Sequence, residues 1–554
     1  MSVFTANNSN TYDAIVIGSG IGGMAAAAAL AKFARKRVLI LEQHFVPGGF
    51  TQAFERDGFK WYVGIHYVGD MSAGSFGRSL FDYITDAQVQ WRRMAEPYDK
   101  VVFPDFTFDI YGIPRRFQDD LVAQFPAERD NIERYFADID RIQTEAGMYL
   151  IRDVFPRWLH PAIAWFTRQG RKLAEMTTRD YMDERFSDPR LKALLLAQWG
   201  TYGLPPSRSA FGIHALVTGG YGSGGWYPVG GGKPIADAVI PIVERAGGRV
   251  LLRREVTEIL TDRNRAYGVK ARTAHAPQSA VEEFRAPIVI SDAGAFNTYA
   301  KLLQDPQASD WSKAVREFPK GYSAIEVFLG LNDSPKTLGF KGENHNIYEA
   351  YDHDRALDVQ LAEPEADFTS CFLSFPSLKD PTAARHTATA MFLVDYDRFE
   401  AWQGQPWRKR DPEYYAMKRD IERATLAFLE RHYPGFGQLV ECVEVSTPLT
   451  MAYFDASDRG AIYGMPWVPE RFEAPWMGSR TPVKNLYLAG ADALCHGIVP
   501  SLMGGIKAAG LACGPFGFFR LMAAIQKAGR AADPTSVREP VVNGTRRGRR
   551  LAGE

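Results

Sequence analysis

The chain carries only four cysteines in 554 residues, Cys371, Cys442, Cys495 and Cys513. None stands in a CxxC or Cys/His ligand spacing, which argues against a disulfide framework or a zinc site and fits a reducing compartment. Net charge is lacking too: 65 lysines and arginines balance 65 aspartates and glutamates, at a sequence pI of about 7.2. No global field favours nucleic acid, so none is expected as a partner. No segment offers the roughly 18 uninterrupted apolar residues that a membrane span requires. The best candidate, AGMYLIRDVFPRWLHPAIAWF at residues 146–166, is broken by Arg152, Asp153, Pro156, Arg157 and Pro161. Two readings of it stay open: a monotopic lipid contact built on Trp, Tyr, Phe and Arg, or an aromatic wall of a substrate domain. The N-terminal MSVFTANNSNTYD lacks the charged and apolar regions of a secretory signal. The expected location is cytoplasmic, with peripheral membrane contact left open.

What the sequence does contain begins at AIVIGSGIGGMAAAAALAKFARKRVLILEQ, residues 14–43. A short β-branched run meets glycines, then a helix-forming stretch over 21–35, then a second apolar run ending in Glu42; this reads as strand, turn, helix, strand. Gly18, Gly20 and Gly23 stand in G-x-G-x-x-G spacing. The first permits the tight turn, the second lets backbone approach a pyrophosphate, and the third lets helix pack on strand. The phosphates then meet a helix N-terminus, where unpaired N–H groups favour negative charge. Glu42, nineteen residues after Gly23, suits a carboxylate that accepts from ribose hydroxyls and repels a 2′-phosphate. The motif alone does not choose between FAD and NAD.

Length predicts at least two domains. After the first unit comes an aromatic-rich stretch with helical periodicity near 126–144 and 171–198, which reads as a mostly helical insertion. Glycine turn, amphipathic helix and strands return over 219–271, followed by a strand at 286–291. Alternating strands are expected at 322–332 and 387–396, a helix at 414–433, and a last strand and glycine turn in VKNLYLAGADAL before a helix at 501–511. The expected fold class is α/β, a Rossmann-like domain with an interleaved α+β substrate domain. The nucleotide domain is assigned to residues 12–75, 222–320 and 480–530, and the substrate domain to 76–221 and 321–479. Residues 531–554, with RRGRR, read as a flexible basic tail.

PGGFTQAFERDGFKWYVGIHYVG at 47–69 resembles the second motif of the flavoprotein superfamily that contains phytoene desaturases, carotenoid isomerases, retinol saturases and amine oxidases. GGWYPVGGG with VERAGGRVLLRREVTEI is similar to its central segment, and NLYLAGADALCHGIVPSLMGGIKAAG to its terminal flavin segment. Within the superfamily, FLSFPSLKDPT, STPLTMAYFDASDRGAIYG and VGIHYVG look most like retinol saturase, which reduces a double bond of all-trans-retinol. The resemblance implies an amine oxidase/GDI-type flavoprotein fold and FAD as cofactor. It places Gly18, Gly20 and Gly23 at the pyrophosphate, Glu42 at the adenosine ribose, Gly49 and Thr51 in the flavin-side loop, Val256 at adenine, and Gly490 and Asp492 near the ribityl chain. Tyr62 stands where many relatives have aspartate.

The implied activity is saturation of a carbon–carbon double bond in a long apolar polyene such as a retinoid or carotenoid. Desaturation and cis–trans isomerisation are the rival activities on the same fold, and a non-catalytic lipid carrier of the Rab GDP-dissociation inhibitor type is the rival from another class. His66 and His496 are the candidate proton carriers, with Tyr67 and then Tyr227 behind them. No second βαβ unit for NAD(P) is apparent, which leaves the electron partner open among a quinone, oxygen and a protein carrier. Lysine and carboxylate pairs elsewhere read as solvated helix faces, and no metal is expected.

Overall fold

The computed structural model describes residues 10–362 and 368–532; the expected tail, from residue 533 on, lies outside the described residues. Strand Ala14–Ile17, helix Ile21–Ala34 and strand Val38–Leu41 fall where the glycine spacing puts them. They nucleate a five-stranded parallel sheet in the order 486–488, 289–291, 14–17, 38–41, 249–251. Stretches far apart in the chain thus form one layer. The alanine tract explains how it closes: Ala25 to Ala29 are all buried, because helix Ile21–Ala34 is packed between helices Lys233–Arg245 and Ile498–Ala512. A Cβ on Gly505 would overlap the Gly22 carbonyl, so only glycine lets helix Ile498–Ala512 come this close.

A second sheet of seven strands runs in the order 440–446, 323–331, 386–394, 370–374, 344–348, 99–102, 107–110. Its residues alternate, as strand geometry requires. One face, including Ile325, Val327, Leu329 and Leu373, forms a separate core with Ile421, Phe428 and Leu429 of helix Pro412–His432. The opposite face carries Glu326, Phe372 and Met391 toward the interior cavities. The stretch expected to be a mostly helical insertion is corrected here: Trp91–Arg93, Asp99–Val102 and Thr107–Ile110 are strands. Asp99–Val102 pairs in parallel with Asn344–Tyr348, a partner some 240 residues on that local periodicity cannot reveal.

Helices Arg129–Leu150, Arg168–Ala174 and Phe211–Gly220 pack together beside this sheet. Trp158, Trp165 and Phe166, from the aromatic segment noted above, are 76%, 66% and 59% exposed. Among the described residues no helix is long and apolar enough to cross a membrane.

Candidate functional site

The sheet's C-terminal edge opens into a cleft lined by the glycine turn, the 48–51 loop, residues 254–256, residues 292–297 and the 489–498 segment. Gly18 has φ +92°, the left-handed region that glycine enters without strain. Helix Ile21–Ala34 starts immediately after, and neither it nor helix Ile498–Ala512 has a side-chain N-cap. Two helix N-termini therefore present unpaired N–H groups to one cleft. Gly49 packs against the turn, where a Cβ would sit 3.2 Å from Gly20 Cα, and Thr51 spends its hydroxyl proton on the Gly48 carbonyl at 2.8 Å.

Glu42 ends the second strand with its carboxylate already engaged. Oε2 accepts from Ser19 N at 2.8 Å and Ser19 Oγ at 2.7 Å, and Oε1 accepts from His44 N at 2.7 Å. One acceptor direction on Oε1 stays free for an incoming hydroxyl. Val256 lines the cleft from strand Arg254–Asp262. Asp492, after Gly490, accepts from Ala295 N at 2.8 Å and Met465 N at 2.9 Å. Its two oxygens thus fasten three chain segments together at the cleft wall.

Sequence reasoning missed Asp292. It follows strand Val289–Ser291, and its carboxyl lies over the glycine turn: a Cβ on Gly20 would be 2.6 Å from Asp292 Oδ2. Burial pushes this carboxyl up to about 8, partly offset by the Gly23 N–H. At neutral pH it is a neutral donor rather than an anion. The cleft therefore fits a dinucleotide: helix N-termini without side-chain caps, a glycine cradle, a carboxylate at the second strand's end, and over the glycine turn a carboxyl, that of Asp292, whose ionisation burial opposes.

At its far end the cleft joins a cavity of about 130 Å³ walled by rings, among them Tyr67, Trp199, Tyr348, Phe372 and Tyr463. His66 lines both spaces. Its ring nitrogens have no hydrogen-bond partner, and burial, aided by the charge of Lys379, pushes it down to about 3. His496 hydrogen-bonds the Met465 carbonyl through Nε2 at 3.0 Å and is lowered well below the ordinary value by burial and then by Arg471. Both histidines, taken from the sequence as proton carriers, are held neutral. Tyr67 donates to Asp99 Oδ2 at 3.2 Å and stacks on Tyr221 at 4.4 Å. Asp99 also accepts from Gln198 and Asn346, and burial pushes it up to about 7. Tyr227 is fully buried away from the cavity with its hydroxyl unpartnered.

Lys379, within the FLSFPSLKDPT segment, has no role in the sequence reading. It is buried, donating to the His66 carbonyl at 2.9 Å, to Ser374 Oγ at 2.7 Å and to Asn344, and burial pushes it down to about 7. Tyr62 donates to Asp380 Oδ2 at 3.0 Å and lies outside the cleft wall.

Comparison with known proteins agrees with this geometry. The family model described as flavin containing amine oxidoreductase matches residues 21–511. The all-trans-retinol 13,14-reductase of Danio rerio is 35% identical over 522 residues, covering 89% of this chain and 84% of that protein. The chloroplastic prolycopene isomerase of Arabidopsis thaliana is 28% identical, covering 90% and 82%. Putrescine oxidase bound to putrescine shares the fold, with a TM-score of 0.61 at 15% identity over 90% of this chain and 98% of that one. The chain therefore belongs to the flavin-containing amine oxidoreductase family and is an FAD-dependent oxidoreductase.

Proposed function

We propose that this enzyme reduces a carbon–carbon double bond of a long apolar polyene, a retinoid or carotenoid-like lipid. The observation that carries the reading is the ring-walled cavity opening on the cleft beside His66 and Tyr463. Flat aromatic walls suit a flat conjugated chain and exclude water from it. Relatives named for reduction of all-trans-retinol and isomerisation of prolycopene support the same substrate class.

In this reading Gly18, Gly20 and Gly23 line the pyrophosphate, Glu42 the adenosine ribose, and Val256 the adenine. Gly49, Thr51, Gly490 and Asp492 stand along the flavin half. Residues 12–75, 222–320 and 480–530 hold the cofactor, and 76–221 with 321–479 hold the substrate. The bound flavin supplies or accepts hydride. The Tyr67 hydroxyl, held by Asp99, gives a proton at the substrate carbon, while neutral His66 and His496 shape the wall and keep water out. Peripheral lipid contact through Trp158, Trp165 and Phe166 fits delivery of an apolar substrate.

The test is anaerobic mixing of dithionite-reduced protein with all-trans-retinol and with a carotenoid, followed by product analysis. Loss of one double bond with return of oxidised flavin absorbance is the expected result. A polyene changed only in geometry, with flavin still reduced, assigns isomerisation, and an untouched polyene overturns the reading. A second prediction concerns the cradle. Asp292 stays neutral up to about 8, so FAD affinity should fall as pH rises through that value and a carboxylate forms beside the phosphates. Titrating deflavinated protein with FAD should show this loss, about tenfold from neutral to clearly alkaline pH, and Asp292→Asn should remove it. The same slope in the variant would exclude Asp292 as its source.

A further inference from the structure

Beside the flavin cleft lies a larger cavity of about 1090 Å³, at the upper end of ligand-site volumes. The two share Gln43, Glu326, Phe454 and Asp455 as common wall. Their floor is one row of residues on adjacent strands of the seven-stranded sheet. Phe372 stands opposite Met391, Met391 opposite Glu326, and Glu326 opposite Ser446. Phe372 floors the small aromatic cavity, Met391 that cavity and the cleft, Glu326 the cleft and the large cavity, and Ser446 the large cavity alone. Three strand spacings, about 14 Å, thus set the three spaces in line along one sheet face, with the cleft between the ring-walled end and the large cavity.

The wall that the cleft and the large cavity share, the neck between them, holds two carboxyl groups that make no side-chain hydrogen bond among the described residues, those of Glu326 and Asp455. Burial raises Glu326 to about 8, reinforced by Asp455, and raises Asp455 to about 7, reinforced by Glu42. Burial and their mutual repulsion keep the two groups from ionising together, and a neck with a protonated carboxyl opposes an apolar chain less than two carboxylates would.

Beyond the neck the wall changes sign. Arg56 and Lys418 both reach Glu444, at 3.2 Å and 3.6 Å. Arg410 has no carboxylate partner among the described residues; its Nε is buried without a hydrogen bond and its guanidinium lies 4.8 Å from the Tyr414 ring centre. The three cations share one field: burial lowers Lys418, Glu444 raises it in part, and the charges of Arg410 and Arg56 lower it again. Three cations against one carboxylate leave positive charge uncompensated at a cavity wall, an arrangement that an incoming anion completes.

We propose that the large cavity is the head-group half of the substrate channel. The substrate is an amphiphile whose unsaturated chain crosses the flavin cleft and whose terminal anion, a carboxylate or a phosphate, lies among Arg56, Arg410 and Lys418. The proposal rests on the cleft being a site for unsaturated chains.

The test uses the holoprotein and the intrinsic fluorescence of cis-parinaric acid, a tetraene carboxylate, against its methyl ester. The acid should bind at least about tenfold more tightly, roughly 1.4 kcal/mol. Farnesyl phosphate displacing the probe where farnesol does not assigns phosphate; displacement by neither, with the acid preference intact, assigns carboxylate. Arg410→Gln should abolish the preference for acid over ester at unchanged flavin content. Glu444→Gln, which removes the one anion from the cluster, should strengthen it, a gain that misfolding cannot mimic. Equal binding of acid and ester, or a weaker preference in Glu444→Gln, overturns the proposal. An acid preference in a protein that leaves retinol and carotenoid unchanged would retain the head-group site and remove only the proposed reaction; double-bond reduction without the preference would do the reverse.

Discussion

Gly22→Val is expected to yield protein with little or no bound flavin and a lowered melting temperature. Gly22 lies outside the G-x-G-x-x-G set, yet it is where three segments meet. A Cβ there would overlap the Asp292 carboxyl and sit 2.5 Å from Gly490 Cα, while the Gly22 carbonyl faces Gly505 of helix Ile498–Ala512. The Asp292 carboxyl can turn aside, but the Gly490 backbone cannot. Valine adds three carbons at this junction and must displace the terminal segment from the first helix. Overpacking of this kind costs about 1–3 kcal/mol. Because the displaced segment forms the cleft wall, flavin content should fall by about tenfold or more, the equivalent of roughly 1.4 kcal/mol in affinity. Visible flavin absorbance per protein and a thermal melt check both arms. A variant with full flavin and an unchanged melt would show that this approach does not constrain the site.

Arg471→Met is the second large effect, and it acts on stability. Arg471 is fully buried, with its guanidinium 4.5 Å from the Trp467 ring centre. It donates to the carbonyls of Met465, Ala491 and Asp492, and its Nη2 lies 3.7 Å from Asp492 Oδ1. Methionine fills much of the volume but leaves a buried carboxylate without its counter-charge and the Asp492 carbonyl without a donor, while the Met465 and Ala491 carbonyls keep only His496 and the Leu494 N–H. Breaking one partner of a buried pair costs about 3–5 kcal/mol, which a denaturant titration would read. Arg471→Lys should rescue little, because one ammonium neither spans the carbonyls nor presents a plane to tryptophan. Near wild-type stability in either variant would contradict this account.

The first unit was legible because its signals are local. The helix expected over 21–35 ends at Ala34, and the strand expected over 322–332 is Ser323–Leu331. Asp99–Val102 and Thr107–Ile110 were not, being four-residue strands whose place depends on a distant partner. The site divides the same way. Gly18, Gly20, Gly23 and Glu42 are read from spacing, whereas Asp99, Glu326 and Lys379 look like ordinary charged residues until tertiary burial moves their proton affinities. Asp292 had one available signal: like Glu42, it is an acid at the end of a short apolar strand in a parallel sheet, where such folds bind ligands.

The order of strands in the five-stranded sheet also sets a schedule. Val289–Ser291 gains its outer neighbour only when Leu486–Leu488 has been made. At typical synthesis rates of 5–20 residues per second, the ribosome needs roughly half a minute to a minute and a half to travel from the first strand to the last. During that interval the apolar strand pair near the N-terminus and its alanine-faced helix lack the helix that covers them. The nascent chain therefore exposes this surface to chaperones until helix Ile498–Ala512 has been made. Cofactor loading belongs after helix Ile498–Ala512 has been made, when it reaches Gly22 and closes the cradle.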